Sequence, residues 1–305
     1  MVLEIKYIDH HDQIEDLGHI AVLGFFDGLH IAHQALINKG LELKKKTGKK
    51  LFVFTFDQSI RKYLYNEPFY YLTSVDDKKE ILETYQVDRL YVFKVSKEFI
   101  SLSPEDFINQ YLIQMSYLVV GFDFTYGFRY VGNVSHLKAY KEFETIVMPE
   151  ITYQGEKIGS SKIRQSLDEG EMDLANYLLG RNYQITGEVI HGRGVGKLLG
   201  FPTANIDFTN YYLHKRGVYL TKVIIKDKQY YGVTNVGKKP TFKDQSISLE
   251  TYIFDLSKDL YGQIITIEFI EFMRDEIKYS HKEDLIKQIY KDVERSHEII
   301  KRRNS

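Results

Sequence analysis

Residues 20–33 read IAVLGFFDGLHIAH and run from an all-apolar segment through a glycine-containing turn into a helix-like pattern. Ile20 to Phe26 is apolar throughout rather than alternating, which is typical of a strand covered on both faces. The residues from about Ile31 to Lys46 predict a helix with a basic end, which the negative pole of a helix dipole favours. A buried strand followed directly by a helix predicts an α/β fold built on a parallel sheet.

The rest of the first half repeats this alternation. Apolar runs at residues 51–56, 118–121 and 144–148 predict further buried strands. A helix is predicted to begin at Ser103-Pro104-Glu105-Asp106, because these residues supply a serine cap, proline at the first position and acids in the first turn. Strands alternating with helices predict a doubly wound parallel sheet, whose ligands bind at the carboxyl ends of the strands.

After about Gly180 the pattern changes to strands in close succession, which predicts a small antiparallel β-barrel. Five runs rich in β-branched and aromatic residues are predicted as strands with no helix between them: Tyr183 to Ile190, Gly217 to Ile225, Gln229 to Val236, Ser246 to Phe254 and Ile264 to Phe272. We place the domain boundary between residues 182 and 183, so that the predicted domains are 1–182 and 183–305.

A closing helix is predicted from about Lys282, because apolar residues recur there at helical spacing. The predicted apolar stripe consists of Leu285, Ile286, Ile289, Tyr290, Val293 and Ile300.

Composition excludes several classes of protein. The 305 residues include 41 Lys+Arg and 42 Asp+Glu, so bulk charge gives no reason to expect a nucleic-acid or membrane partner. There is no cysteine, hence no disulfide, thiolate nucleophile or cysteine-ligated metal. The N-terminus lacks the layout of a secretory signal, and no apolar run approaches the roughly 20 residues that span a bilayer. We expect a soluble cytoplasmic protein; the oligomeric state stays open.

The turn between the first strand and the first helix is a candidate phosphate site. His30 and His33 lie three residues apart and face the same way near a helix start, where imidazoles can hydrogen-bond an ATP phosphate and stabilise charge during transfer. The alternative is a pair of ordinary surface histidines, which the strand-to-helix context disfavours. The other predicted ATP-binding residues of this turn are Gly24, Phe26, Asp27 and Gly28, of which the glycines allow a tight turn and close approach to a phosphate.

Residues 158–164, IGSSKIR, predict a loop leading into a short helix with two hydroxyls that can cap it. Such a segment can hold a phosphate through hydroxyls, backbone N–H groups and a forked guanidinium. Ser161 and Arg164 are therefore candidates, and a capped surface helix is the alternative.

Residues 191–205, HGRGVGKLLGFPTAN, hold the second candidate site. Thr203 and Asn205 point to one side of an extended segment, where a hydroxyl and an amide oxygen suit a magnesium ion. The segment is no Walker P-loop, because Gly-Lys-Ser/Thr is absent, and a plain hairpin turn is the alternative. The loop residues whose backbone and charge can wrap phosphates are Gly192, Gly194, Gly196 and Lys197.

The two motifs of the first half resemble the His-x-Gly-His and Ser-Ser-x-x-Ile-Arg signatures of nucleotidylyltransferases, specifically the adenylyltransferase half of bacterial bifunctional riboflavin kinase/FAD synthetases. Residues 119–127, VVGFDFTYG, resemble that family's flavin-side loop. The resemblance implies that FMN phosphate attacks the α-phosphate of ATP in domain 1–182 and that pyrophosphate leaves. His30 and His33 would steady the phosphates, Asp123 would help hold nucleotide or flavin, and Ser161 and Arg164 would grip pyrophosphate.

Residues 196–205 resemble the Gly-x-x-Leu-Gly-Phe-Pro-Thr-Ala-Asn signature of riboflavin kinases. Four further blocks follow in the family's order, at residues 216–219, 234–242, 259–262 and 273–276. The resemblance implies that domain 183–305 is a riboflavin kinase barrel in which Glu250 is the general base on the ribityl 5′-hydroxyl. Arg274 would lie near the flavin or nucleotide. The implied substrates are riboflavin, FMN and ATP, with Mg²⁺ as the metal.

Two departures keep an alternative open. Ala32 stands where the family has glycine between the histidines, and residues 55–60, TFDQSI, replace a proline-rich polar segment. The first alternative is therefore a riboflavin kinase with weakened or lost adenylyl transfer. A second is a flavin-sensing protein that acts on RNA or a regulator, against which the balanced charge and the residues Thr203, Asn205 and Glu250 argue.

Overall fold

A computed structural model describes residues 3–14, 16–192, 195–213, 215–238, 247–256 and 258–304. The chain divides into two compact units, Met1–Ser160 and Ser161–Ser305. The first unit holds a parallel sheet with helices and the second a closed barrel.

In chain order the strands of the first unit are β1 (Glu4–Ile8), β2 (Ile20–Leu23), β3 (Leu51–Phe56), β4 (Arg89–Phe93), β5 (Tyr117–Gly121), β6 (Thr125–Tyr126), β7 (Gly132–Asn133), β8 (Glu144–Met148), β9 (Thr152–Tyr153) and β10 (Glu156–Lys157). Six of them form one sheet with the order β1-β4-β3-β2-β5-β8, in which every neighbouring pair is parallel. The helices of this unit are α1 (Ile31–Thr47), α2 (Ile60–Tyr65), α3 (Val75–Thr84), α4 (Lys97–Ile100), α5 (Pro104–Phe107) and α6 (Val134–Ala139).

The central strand β2 shows why the apolar run predicts a sheet covered on both sides. Ala21 and Leu23 belong to one apolar cluster, whereas Ile20 and Val22 belong to the other. Successive side chains of a strand point to opposite faces, so a strand buried on both faces has no polar position. Burial of each such side chain is worth about 1.5–3 kcal/mol, and the prediction of a doubly wound parallel sheet is confirmed.

The two helices that the sequence located most sharply have the expected ends. Helix α1 ends at Thr47, one residue beyond the prediction, and Gly48 follows in the left-handed region at φ 72°. Helix α5 begins after Ser103, whose hydroxyl accepts a hydrogen bond from Asp106 N at 3.0 Å. A π-helical turn, Ile108–Leu112, then extends it.

The strands of the second unit are β11 (Tyr183–Ile190), β12 (Thr203–Asp207), β13 (Gly217–Ile225), β14 (Lys228–Lys238), β15 (Ile247–Ile253) and β16 (Ile264–Arg274). They form a closed antiparallel barrel with the order β11-β12-β15-β14-β13-β16. The helices of this unit are α7 (Ser160–Glu169, whose first residue belongs to the first unit), α8 (Met172–Leu179), α9 (Val195–Leu198) and α10 (Lys282–Asn304). The predicted barrel with a closing helix is confirmed.

Two details of the barrel differ from the prediction. Strand β12 was expected only as an extended segment, yet it closes the barrel between β11 and β15. The expectation that no helix interrupts the strands was wrong, because α9 forms one turn between β11 and β12. The carbonyl of Gly196 accepts hydrogen bonds from Leu199 N at 3.0 Å and Phe201 N at 2.9 Å, which satisfies the end of that turn.

Three buried threonines form a hydrogen-bonded ladder inside the barrel. Thr234 Oγ1 lies 2.7 Å from Thr221 Oγ1 and 2.8 Å from Thr251 Oγ1, and the Thr221 hydroxyl also donates to Gly232 O. Each buried hydroxyl therefore has a partner. Because Thr251 faces inward and side chains alternate along a strand, Glu250 faces outward.

Helix α10 packs on the outer face of the barrel against Val218, Leu220, Ile270 and Met273, through Ile299. Tyr290, which was predicted on the apolar stripe, is 59% exposed.

The buried face of α10 carries Asp292 instead, because this carboxylate pairs with the Arg274 guanidinium of β16. Their two hydrogen bonds measure 2.9 Å (Nε–Oδ1) and 2.6 Å (Nη2–Oδ2).

Helix α8 packs within the second unit. The Asn176 amide donates to Phe269 O at 2.9 Å and accepts from Tyr183 N at 2.7 Å, which ties the helix to β16 and β11. The division into compact units thus falls after Ser160. The domain boundary at residues 182 and 183 stays a prediction. Within the described ranges, every helix is too short or too polar to pass through a membrane.

The Arg274–Asp292 pair gives a stability prediction. Asp292→Ala should lower the free energy of unfolding of the second unit by about 2 kcal/mol, because it leaves a largely buried guanidinium without its carboxylate. This loss of stability should be smaller than the ~3–5 kcal/mol expected when a fully buried ion pair is broken, since the Arg274 side chain is 18% exposed. Urea unfolding followed by circular dichroism measures the change.

Asp284→Ala on the same helix is the matched control, since Asp284 is 55% exposed and pairs with Lys287 only at 3.9 Å. It should change stability by no more than about 0.5 kcal/mol. Equal effects of the two substitutions would show that the buried pair does not anchor α10.

Candidate functional site

A cavity of about 870 Å³ opens in the first unit where β2 and β5 end. Strand β2 has β3 as its neighbour on one edge and β5 as its neighbour on the other. The order of the strands along the chain therefore reverses between β2 and β5. Open α/β sheets bind ligands in such a crevice. The predicted residues that line it are Gly24, Phe26, His30, His33 and Asp123.

Hydrogen bonds to distant parts of the chain hold the turn between β2 and α1. Gly28 N donates to Thr73 Oγ1 at 2.8 Å, Leu72 N donates to Asp27 Oδ1 at 2.8 Å, and Ser160 Oγ donates to Asp27 O at 2.9 Å. Gly28 has φ 85°, a conformation that favours glycine. The Asp27 carboxylate, predicted to bind ATP, is 2% exposed and braces the loop at residues 72–73. Its role toward ATP stays a prediction.

Gly24 lets the chain fold back over a buried ring. A Cβ built on Gly24 would lie 2.8 Å from the Phe26 ring, so a side chain has no room there. Strand β2 was expected to extend to Phe26 but ends at Leu23, because Phe26 has φ 54° and leaves the extended conformation. The Phe26 ring is fully buried, so any contact from Phe26 to a nucleotide would come from its backbone.

The two histidines lie together at the start of α1. Their rings stack with centroids 3.6 Å apart and an angle of 19° between the planes, and His33 N donates to His30 Nδ1 at 3.4 Å. His30 is the N-cap and is 4% exposed, which rules out the ordinary surface histidine for this residue. The positive end of the helix dipole and the adjacent imidazoles favour an anion at this point.

Asp123 lies beyond the end of β5, as the flavin-side loop predicted. Its carboxylate pairs with the Lys157 ammonium, which also lies 4.9 Å from the centre of the Phe122 ring. Asp123 is half-exposed and lines the cavity. Its role toward nucleotide or flavin remains a prediction.

Ser161 and Arg164 belong to the second unit, on α7. The predicted loop and helix are present, and the Arg164 guanidinium lies 5.0 Å from the centre of the Tyr212 ring. The grip of these two residues on pyrophosphate stays a prediction.

Lys78 is a residue of this region that the motifs did not identify. It lies on α3, is 2% exposed, and its ammonium donates to Phe25 O at 2.8 Å and to Thr55 Oγ1 at 3.3 Å. Burial lowers the pKa of Lys78 from 10.5 to about 8, against the opposing charges of Asp27 and Asp77. Lys78 lies three residues after Val75 and four before Leu82, which places it on the apolar face of α3. This spacing is the feature of the sequence that could have identified Lys78 as buried.

The second unit brings the predicted kinase residues into one row. Asn205 of β12 is paired with Glu250 of β15, and Glu250 is paired with Asn235 of β14. Side chains directly opposite each other in antiparallel strands lie on one face with Cβ atoms about 4.5–5.5 Å apart. The carboxylate therefore stands between two amides on the outer face of the barrel. Asn235 was not predicted as a site residue, although residues 234–242 were noted as a family block.

The glycine-containing loop folds tightly over this row. A Cβ on Gly192 would lie 2.1 Å from Asn205 Nδ2, and a Cβ on Gly196 would lie 2.4 Å from Phe201 O and 3.0 Å from Thr203 Oγ1. Because β11 and β12 pair antiparallel, this loop connects a hairpin, and it contains the one-turn helix α9. The loop approaches Thr203 and Asn205 so closely that only glycine fits.

The donor set of this cradle fits a hard divalent cation. A threonine hydroxyl and an asparagine amide oxygen are oxygen ligands, which Mg²⁺ and Ca²⁺ prefer. Thr203 and Asn205 lie two residues apart on β12, on the side next to Glu250. These are the residues that would hold such an ion together with the phosphates of a nucleotide.

The remaining predicted kinase residues are distributed differently. The Arg274 guanidinium is engaged by Asp292 and also donates to Asp275 O at 3.0 Å, so it anchors α10, and a role toward flavin stays a prediction. Gly194 and residues 239–242 lie outside the described residues, and the structure does not describe the Lys197 side chain.

Comparison with known proteins assigns each half of the chain. The family model for FAD synthetase matches residues 12–162, and that for riboflavin kinase matches residues 179–300. A Listeria monocytogenes protein named bifunctional riboflavin kinase/FMN adenylyltransferase is 37% identical over 289 residues, 92% of each chain. A Bacillus subtilis protein of the same name is 36% identical over 300 residues, 95% of each chain.

A solved structure shares the fold over nearly the whole chain. A Streptococcus pneumoniae protein named macrolide-efflux protein superposes with a TM-score of 0.88 and 29% identity, covering 97% of this chain and 99% of its own. That name describes the other protein alone.

Sequence matches across both units therefore agree with the two sites described above and favour an enzyme over a flavin sensor. The chain belongs to the family of bifunctional riboflavin kinase/FMN adenylyltransferases, the enzymes of flavin cofactor synthesis.

Proposed function

We propose that the second unit of this chain phosphorylates riboflavin with ATP to give FMN, and that the first unit transfers AMP from a further ATP to FMN to give FAD. The observation that carries the proposal is the row of Asn205, Glu250 and Asn235 beneath a glycine-containing loop. The divalent metal that we propose for both reactions is Mg²⁺.

In the kinase reaction, Glu250 orients the 5′-hydroxyl of riboflavin and accepts its proton as the oxygen attacks the γ-phosphorus of ATP. The O–P bond to the flavin forms, the bond from the γ-phosphorus to the β,γ-bridging oxygen breaks, and ADP leaves. Phosphoryl transfer needs little covalent chemistry from the protein, so positioning and charge supply most of the catalysis. Asn235 flanks the carboxylate on the side away from Asn205 and limits its orientations.

The phosphates are held by the loop over β12. Gly192 and Gly196 pass close to Asn205 and Thr203, so their backbone N–H groups are the donors that we propose for the phosphates, and Thr203 and Asn205 would hold Mg²⁺ there. When bound, Mg²⁺ supplies neutralisation of the charge on the phosphates.

In adenylyl transfer, a phosphate oxygen of FMN attacks the α-phosphorus of ATP, and the bond to the pyrophosphate oxygen breaks. The stacked His30 and His33 at the start of α1 stabilise the negative charge on the phosphates. Asp123 at the end of β5 helps hold flavin or nucleotide.

The first unit has one feature that favours a second candidate function. Ala32, in the first turn of α1, lines the cavity where the family has glycine. A methyl group at a point of close phosphate approach weakens ATP binding if the phosphates contact it. The second candidate is a riboflavin kinase with little adenylyl transfer.

Glu250→Gln tests the kinase base. The amide keeps the shape of the side chain but cannot accept a proton, so kcat for riboflavin phosphorylation should fall by about 10²–10⁴-fold, the usual contribution of a general base. Coupled detection of ADP measures the rate, and titration with Mg-ADP should show unchanged binding.

Glu298→Gln on the exposed face of α10 is the control for the chemical change and should retain the wild-type rate. Near-normal phosphorylation by Glu250→Gln would mean that another group accepts the proton.

Incubation with FMN, ATP and Mg²⁺ tests adenylyl transfer, because the wild-type chain should release FAD and pyrophosphate in equal amounts. His33→Ala should lower that rate by about 10²-fold, the size expected for the loss of one group that stabilises transition-state charge. Riboflavin phosphorylation in the same preparation is the internal control and should be unchanged, since His33 and Glu250 lie in different units. A wild-type chain that makes FMN but no FAD supports the second candidate.

A further inference from the structure

Lys78 is buried directly beneath the turn that leads from β2 to α1. Among the lysines whose side chains the structure describes, it is the only buried one. Two elements contact its ammonium. The turn contributes Phe25 O at 2.8 Å and the Phe25 ring, whose centre lies 4.9 Å away, and the end of β3 contributes Thr55 Oγ1 at 3.3 Å. The charged groups that face it are Asp27 of the turn and Asp77 of α3.

These contacts decide where the Phe25 carbonyl points. Its oxygen accepts hydrogen bonds from Lys78 and from Thr55 Oγ1 at 2.8 Å. Neither donor lines the cavity, whereas Gly24, Phe25 and Phe26 do. The oxygen is therefore held toward the interior, away from the place where a phosphate would sit. A carbonyl oxygen turned the other way would repel an anion.

Holding this ammonium charged in the interior lowers stability. The pKa of Lys78 is about 8 in the folded chain against 10.5 for an exposed lysine, so the unfolded chain binds the proton more tightly between these values. Stability should rise as pH increases from about 8 to 10.5 and Lys78 loses its proton on folding. At neutral pH the charged side chain opposes folding, so packing alone does not explain it.

We propose that Lys78 is a positioning residue for adenylyl transfer, which keeps the Phe25 carbonyl out of the phosphate site and adds positive charge behind the turn that receives the triphosphate of ATP. This inference rests on the adenylyl transfer proposed above. Lys78 touches the turn rather than the substrate, so it acts through the backbone of Gly24 to His30. Its charge acts from a buried position, where screening is weak.

Lys78→Met in the full chain is the test, because methionine retains the apolar reach without the charge. The KM for ATP in FAD formation should rise about tenfold or more, the usual effect of losing a hydrogen bond to a charged group. Riboflavin phosphorylation should be unchanged, and the midpoint of thermal unfolding at pH 7 should be unchanged or higher. Lys79→Met, on the same helix but in a half-exposed pair with Glu83 at 3.4 Å, is the matched control and should retain the wild-type KM.

The pH profile separates this role from a purely structural one. The wild-type KM for ATP in FAD formation should rise as pH increases through about 8, where Lys78 loses its proton. The Lys78→Met profile should be flat and high. If Lys78→Met does not fold, Lys78→Gln replaces it, since the amide still donates to the Phe25 carbonyl but carries no charge.

Titration with α,β-methylene-ATP distinguishes failure of this inference from failure of the proposed function. This analogue cannot be cleaved at the α–β linkage and reports nucleotide binding by the first unit even in a chain that forms no FAD. Lys78→Met should weaken one of the binding events by about tenfold. Unchanged binding together with unchanged KM in the variant would overturn the proposal.

Discussion

Close approach of glycine backbone to a neighbouring element is the constraint on which both sites depend. In the second unit, the space for a side chain at Gly192 is taken by the Asn205 amide, and in the first unit the space at Gly24 is taken by the Phe26 ring. Any Cβ would push the loop away from the strand or ring beneath it. The backbone that we propose for phosphate binding is therefore positioned by packing against residues that are themselves fixed in a barrel strand or a core.

The first site is supported by buried polar groups rather than by apolar packing alone. Asp27 and Lys78 are each 2% exposed, and both bond to backbone of the turn or of the loop beside it. Buried charges are expensive unless paired and hydrogen-bonded, so a fold optimised for stability alone would not place them there. We expect such an arrangement around a short turn that must keep its shape when a highly charged nucleotide binds.

Much of the fold was predictable, since periodicity reports how many faces of an element are buried. The apolar run at residues 20–23 identified a central strand, and the cap at Ser103 located a helix start. Errors arose where tertiary contacts override local pattern. Tyr290 has the spacing of a buried residue but is exposed, whereas Asp292, paired with Arg274, lies on the buried face of α10.

By itself the sequence determined the two fold classes, the turns rich in glycine and most of the residues that we propose for the chemistry. Only the tertiary structure decided which of those residues are neighbours. Strand pairing sets Asn205, Glu250 and Asn235 side by side, and packing of α3 brings Lys78 to Phe25 across 53 positions of the chain. The physical reason is that the pattern of side chains indicates which face of an element is buried. Which other element packs on that face depends on strand pairing and on the packing of the core.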